Sequence, residues 1–288
     1  LIECVGQELL VPFHKYLHNC FTVAPLSLRC RDQETKNLLK DKYPECEFYE
    51  SKYLPLCLKT KKRWAAVQAK EYQEGLFEVQ DESSQLVATN SQVEQGMRVL
   101  DMCAGAGGKA LHLASLMNGR GEVHVWDPSH KKLAELQKRA RRWSYSNIQV
   151  LKEKPKSTKS YDLVLVDAPC SSMGTLRRRP NLLSTSSNSE LLRLFSLQAS
   201  LIGQAVENIS PGGIFCYATC SVLYYENWRH FEQFDISLNG IDPFSIGLSD
   251  YSKSLSKVPE AYWLSAALQV APSENYDGDG FFCFKSRC

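Results

Sequence analysis

Between residues 98 and 218 the chain alternates two textures. Short continuous apolar runs stand at 99–100, 123–126, 148–151, 161–167 and 213–218, and each reads as a strand. Between them, apolar residues three and four apart predict helices over 109–117, 129–142 and 190–208. Strands that are apolar without alternation are buried on both faces. The pattern therefore predicts an α/β domain, a mostly parallel sheet with helices on each side and its chemistry at the carboxyl ends of the strands. Upstream, residues 1–22 open with helical spacing (Leu9, Leu10, Phe13, Tyr16, Leu17, Phe21). Residues 26–30 alternate like a strand, and Asp32 is placed to cap a helix over 33–42 that Tyr43-Pro44 ends. Short strands are expected around 46–49 and 57–59, giving a small α+β unit. Residues 74–86 read as a turn, a strand and a helix beginning at Asp81 or Glu82, and mark the start of the main domain. The division is then 1–73 and 74–288. There is no internal repeat, and only 184–189 reads as a loose loop.

The strand ending at Asp101 runs into Gly105, Gly107 and Gly108 and then a helix. Glycine there lets the backbone take positive φ and approach a ligand, while the helix start offers unpaired N–H groups. Such a turn serves structure alone as readily. Asp127, ending the next strand about 20 residues on, adds the carboxylate that such folds direct to ribose hydroxyls, so a nucleoside cofactor is expected. Two further strand ends carry a cysteine: Asp167-Ala168-Pro169-Cys170-Ser171 and Ala218-Thr219-Cys220-Ser221. A thiol of lowered pKa attacks electrophiles, and an acid beside it can hydrogen-bond a substrate ring; a single strand-end cysteine is as well explained by packing.

Composition narrows the setting. The 288 residues can bury a full core, and no apolar run reaches the roughly 18 residues a membrane span needs. Eleven cysteines, an odd number without regular spacing, suit reduced intracellular thiols. The sequence begins on Leu and is expected to be cut at its start, a targeting peptide included, which leaves cytoplasm, nucleus or nucleolus and mitochondrion open. Net charge is only +2, yet residues 129–159 hold ten Lys or Arg against two Glu. Lys59, Lys61, Lys62 and Arg63 stand beside Trp64, with Tyr43, Tyr49 and Tyr53 near, and Arg177-Arg178-Arg179 follow the first cysteine. These clusters are candidates for RNA phosphates and bases, or solvated surface.

Taken together, Asp101-Met-Cys-Ala-Gly-Ala-Gly-Gly-Lys109, Asp167-Ala-Pro-Cys-Ser171, Pro211-Gly-Gly213 with Thr219-Cys-Ser221, Gln80-Asp-Glu-Ser-Ser-Gln85 and the terminal Asp279-Gly-Phe-Phe282 resemble the RsmB/Sun-type RNA 5-methylcytosine methyltransferases over about residues 25–288. The resemblance implies a Rossmann-like S-adenosylmethionine-dependent methyltransferase domain preceded by a small RNA-binding unit. It also implies an rRNA or tRNA substrate, a monomer open to a protein partner, and no metal. By position, Cys220 would be the nucleophile, Cys170 the group assisting product release, Asp167 the acid steadying the base and Lys109 an active-site cation. Cys103, Ala104, Gly105, Ala106, Gly107, Gly108, Lys109, Asp127, Glu153 and Asp167 would hold the cofactor. Glu153 is included because the acid usual after the third strand is missing and it is the only one near. Glu226-Asn227-Trp228 and Arg179-Pro180-Asn181 also depart from the pattern, each lacking an acid the family often has. The alternative is a methyltransferase fold kept as a weakly active or inactive RNA-binding or ribosome-assembly factor. A nicotinamide dehydrogenase, sharing the glycine turn, gives the two cysteines no role.

Overall fold

The computed structural model describes residues 13–157, 159–233, 262–264, 267–271 and 276–288, built as two sheets. Leu9 and Leu10 of the expected first helix lie outside these residues. The described helix α1, Phe13–Cys20, packs Tyr16 and Leu17 against Met173, Leu176 and Val222.

The smaller sheet is antiparallel throughout, in the order β2 (Tyr49–Glu50), β3 (Cys57–Thr60), β1 (Leu26–Cys30), β4 (Phe77–Val79). Helix α2, Gln33–Lys42, covers it, and its N-cap Asp32 accepts from Thr35 N at 2.8 Å, as its side chain suits it to do. The strand expected from residue 46 begins only at Tyr49. Pro44 starts a short 3₁₀ turn, Pro44–Cys46, which Glu47 closes in a left-handed conformation. Strand β4 was expected to open the main domain, yet it pairs with β1. Three residues are too short a pattern to say which sheet they join; the antiparallel register Leu28↔Val79 to Cys30↔Phe77 decides it, and opposite Arg29 stands the buried Glu78. Its carboxylate takes Arg139 Nη2 at 2.8 Å, Trp143 Nε1 at 2.9 Å and the Arg142 guanidinium, clamping the small sheet to the helix that follows the second strand of the large one. Tyr43, Phe48, Trp64, Tyr72 and Phe77 form this unit's aromatic core, with Trp64 stacked 5.7 Å from Phe77, so Tyr43 and Trp64 serve packing here.

The larger sheet runs β10 (Tyr262–Leu264), β11 (Ala267–Val270), β12 (Phe281–Arg287), β9 (Ile209–Thr219), β8 (Tyr161–Asp167), β5 (Arg98–Asp101), β6 (Glu122–Val125), β7 (Ile148–Val150). From β9 to β7 every pairing is parallel, and β10 to β12 continue the sheet antiparallel. Both faces are covered, as the apolar runs require. Val99, Leu163 and Leu165 point into the core under α3 (Glu82–Asn90), α4 (Gly108–Leu116) and α5 (His130–Arg142), whereas Leu100, Val164 and Val166 meet α6 (Asn188–Val206). Asp81 and Ser129 cap α3 and α5. The loose loop expected at 184–189 is largely helical, a short turn Leu182–Thr185 followed by α6 from Asn188. Among the described residues no helix is long and apolar enough to cross a membrane.

Candidate active site

Parallel strands put their carboxyl ends on one edge, and β5, β6, β8 and β9 deliver Asp101, Asp127, Asp167 and Cys220 there. The glycine loop after β5 is held from below. Asp127 Oδ2 accepts from Gly105 N at 2.9 Å and its Oδ1 from Ser129 N at 2.8 Å, while Arg139 Nη1 donates to Ala106 O at 2.6 Å. Gly105 and Gly107 both take left-handed φ, +53° and +89°, for different reasons. A Cβ at Gly107 would stand 2.5 Å from Leu136 Cγ, so this glycine lets the loop pack on α5. A Cβ at Gly105 or Gly108 would meet nothing within 4 Å. Those two face a cavity of about 630 Å³ lined by Cys103 to Ala106, Gly108, Lys109, Trp126 to Ser129, Lys154, Asp167 and Leu197, among others.

Most residues named for the cofactor therefore surround one space. Gly107 and Glu153 do not. Strand β7 stops at Val150, and the loop beyond it carries Glu153 into solvent beside Lys156 at 3.5 Å. It is Lys154 that lines the cavity, its ammonium 5.8 Å from the Trp126 ring.

Lys109, one residue into α4, reaches Asp167 Oδ2 at 2.6 Å and lies 4.6 Å from the Phe281 ring. Burial works against the ammonium, but the Asp167 carboxylate outweighs it and raises the pKa above the ordinary lysine value. Lys109 keeps its charge. Beyond it, the register Asp167↔Ala218 between β8 and β9 brings the two cysteine loops side by side, with Cys170 Sγ and Cys220 Sγ 3.4 Å apart. Their shared hydrogen bond, with burial and the Glu226 charge, pushes Cys170 well up, and the same bond lowers Cys220 against its own burial. Cys220 is the thiol that ionises first, and Cys170 keeps its proton. A second cavity, about 260 Å³, opens beside Cys170, with Ser172, Arg179, Thr185 and Glu190 in its wall.

The loop bearing Cys170 is anchored by Glu226, which is fully buried. Its carboxylate accepts from Ser171 N at 2.7 Å, from Ser171 Oγ, and from Gln198 Nε2 at 3.2 Å. Gln198 also donates to Pro169 O at 2.9 Å and meets His230 Nε2 at 2.8 Å. Gly174 closes the arrangement. It donates to Cys220 O at 3.0 Å and accepts from Gly280 N at 2.7 Å, and a Cβ there would collide with Gly280. Sequence reasoning noted Glu226 only as part of a departure and missed Gln198, Ser172 and Lys154. The acid a few residues past Cys220 was the available signal for the first; the others depend on contacts between loops.

The arginines expected to meet phosphates are partly committed elsewhere. Arg178 bonds Asp279 Oδ2 at 2.6 Å and Asp81 Oδ2 at 2.9 Å, and Arg177 donates to Gly278 O at 2.8 Å. Lys59 is likewise buried between Glu82, at 2.6 Å, and Asp277. Arg179, Lys61, Lys62 and Arg63 stay exposed, Lys62 with Glu47 at 2.9 Å.

Comparison with known proteins bears on this constellation. A family model described as 16S rRNA methyltransferase RsmB/F matches residues 88–287, from the last residues of α3 to β12. The chain belongs to the RsmB/F family. Ribosomal RNA small subunit methyltransferase B of Pasteurella multocida is 31% identical, the match covering 91% of this chain and 59% of that protein. The human tRNA (cytosine(72)-C(5))-methyltransferase NSUN6 is 32% identical over 52% of this chain and 35% of its own length. The chain thus spans about half to three-fifths of the length of the RsmB-type relatives it matches first. Among solved structures, PH0851 superposes with a TM-score of 0.87 at 24% identity over all of this chain and 65% of that one. NSun6 from Pyrococcus horikoshii with SFG gives 0.78 at 17% identity, covering 95% and 93%. These two likenesses establish the RsmB/F chain's fold, a Rossmann-like sheet with the small unit ahead of it.

Proposed function

We propose that this chain transfers a methyl group from S-adenosylmethionine to carbon 5 of a cytosine in RNA, through a covalent bond between Cys220 and the base. The observation that carries the reading is the thiol pair, 3.4 Å apart, beside the Lys109–Asp167 ion pair at the edge of the glycine-loop cavity. The names of the relatives, a ribosomal RNA small subunit methyltransferase and a tRNA cytosine-C(5)-methyltransferase, agree with it.

The cavity fits the cofactor. Its volume lies in the range of small-molecule sites, and the open space at Gly105 and Gly108 lets ligand atoms lie against the backbone. Asp127 spends one lone pair of each oxygen on the loop and keeps the others for ribose hydroxyls. Cys103 to Ala106, Gly108, Lys109 and Trp126 to Ser129 would hold the nucleoside. Bound S-adenosylmethionine supplies the electrophilic methyl group that carbon 5 takes.

Carbon 5 of cytosine is too weak a nucleophile to accept that group unaided. The Cys220 thiolate adds to carbon 6, and the displaced ring electrons make carbon 5 enamine-like. Asp167, oriented by Lys109, accepts a hydrogen bond from the exocyclic amine or the protonated ring nitrogen and steadies the adduct. Once carbon 5 carries both its proton and the methyl group, that proton passes to solvent water, and the electrons of the broken C5–H bond re-form the C5–C6 double bond and expel Cys220 as thiolate. Cys170, against the same sulfur, is placed to assist that release.

Losing the attacking thiol prevents any adduct, whereas losing the release group lets the adduct persist. Cys220→Ala is therefore expected to abolish turnover and form no covalent species with target RNA. Cys170→Ala should turn over poorly and leave a protein–RNA band in denaturing electrophoresis. An adduct in Cys220→Ala and none in Cys170→Ala would reverse the roles; methylation at the wild-type rate in both would mean that methyl transfer does not use the thiols, and no methylation or adduct by the wild type or either variant would leave an RNA-binding fold.

A further inference from the structure

Ser172 is backbone-strained in a way its local structure does not require. It precedes the 3₁₀ turn Met173–Thr175, where a serine ordinarily turns its hydroxyl onto the backbone N–H groups of the turn. Here it makes no such cap. Its backbone is left-handed instead, φ 60° and ψ 22°, a conformation that is costly for a residue with a Cβ and that glycine takes freely. The residue is held there by its carbonyl, which accepts from Thr175 N and Thr175 Oγ1, each at 2.8 Å. The result is that Ser172 Oγ stands 3.4 Å from Cys220 Sγ, at the wall of the second cavity beside Cys170.

We propose that Ser172 is a catalytic residue, the second hydrogen-bond donor that holds Cys220 as a thiolate ready to attack the base. With Cys220 protonated, the thiol donates to Ser172 Oγ. When the proton leaves to solvent, the hydroxyl turns its own hydrogen to the sulfur, and Cys170 S–H does the same from 3.4 Å on its side. The anion then has two donors, one of which Cys170 must withdraw when it acts in release. Ser172 remains on Cys220 while that happens, and also on the sulfur as it departs from carbon 6. A bond to a charged sulfur is stronger than one to the neutral thiol, so the hydroxyl favours the ionised form.

This rests on the reading of Cys220 as nucleophile, and the test keeps the two apart. The probe is iodoacetamide, applied to the full chain without RNA over a series of pH values, with alkylation of the Cys220 and Cys170 peptides followed separately by mass spectrometry. Wild-type Cys220 should react with a midpoint below that of an ordinary thiol. Ser172→Ala and Ser172→Gly should each move that midpoint up by roughly one pH unit, the size expected for losing one hydrogen bond to a charged group. Thermal melting separates this from loss of structure: Ser172→Gly relieves the left-handed strain and should melt at or above wild type. A Ser172→Gly protein that melts so and keeps the wild-type Cys220 midpoint overturns the proposal while leaving Cys220 as nucleophile. A wild-type midpoint at or above that of an ordinary thiol, about 8.5, removes the premise for both.

Discussion

Asp101 ends β5 fully buried. Its Oδ1 accepts from Cys103 N at 3.2 Å, and its Oδ2 has no hydrogen-bond partner among the described residues. Burial first, then the Asp167 charge, raise this carboxyl to about 7. The sign of its effect on stability follows. A carboxyl whose folded pKa lies above its unfolded value of about 3.9 holds its proton more tightly when folded, so its contribution is complete below about pH 4 and is lost as pH rises through about 7. Asp101→Asn keeps the shape and removes the titration. The melting temperature of wild type should fall relative to the variant between about pH 4 and 7 and level off above, and parallel curves would show that Asp101 does not titrate there. The same residue shows what was legible at this scale. Asp101, Asp127 and Gly105 lie within one strand–turn–helix and the strand beside it, so local pattern found them, whereas the role of Lys109 came from the family resemblance. The approach of Cys170 to Cys220, across fifty positions, depends on the β8–β9 register, and the hydroxyl of Ser172 on a left-handed turn that no sequence signal announces.

Among the elements, the loop from Asp167 to Gly174 owes its shape to the segment after β9. Glu226 holds Ser171 by backbone and side chain, and Gln198 of α6 ties the same carboxylate to Pro169. Glu226→Ala would leave the Ser171 N–H buried without an acceptor, a loss of about 1 to 3 kcal/mol by itself. The larger consequence belongs to Cys170, which sits on the freed loop. Glu226→Ala is expected to retain adduct formation by Cys220 but slow release, so that the band persists as in Cys170→Ala. Glu226→Gln, which keeps an acceptor for Ser171, should restore release in part. Equal loss of adduct formation and release would instead mean a general disruption of the site. Element identity was readable from periodicity almost everywhere, because the caps Asp32, Asp81 and Ser129 and the apolar runs are local signals. Pairing was less so: Phe77–Val79 fits either sheet by its pattern, and although its ladder lies with β1, its Glu78 meets Arg139, Arg142 and Trp143 more than fifty residues on.

At the scale of the whole molecule the basic residues divide into those that hold the chain together and those left for a polyanion. A charge run in sequence says nothing of which is which, since an ion pair with a distant carboxylate is a tertiary event. Arg178 joins the cysteine loop to Asp279 and Asp81, and Arg139 and Arg142 join the two sheets through Glu78. Lys131 and Arg141 on α5, and Lys61 and Arg63 after β3, are exposed and have no ion-pair partner described. RNA binding should therefore weaken steeply with salt, because each phosphate neutralised releases condensed counterions. Replacing Lys131 and Arg141, or Lys61 and Arg63, by Gln should flatten the log–log slope by about 0.7 for each single-strand phosphate no longer neutralised, with melting unchanged. Arg178→Ala should do the opposite. Stability should fall by roughly 2 to 4 kcal/mol, as the nearly buried Asp279 loses its closest partner, while the salt slope measured below melting stays at the wild-type value. A slope that flattens with Arg178 and ignores both exposed pairs would place the RNA path over the cysteine loop instead, and would mean that the Asp279 ion pair opens when RNA arrives.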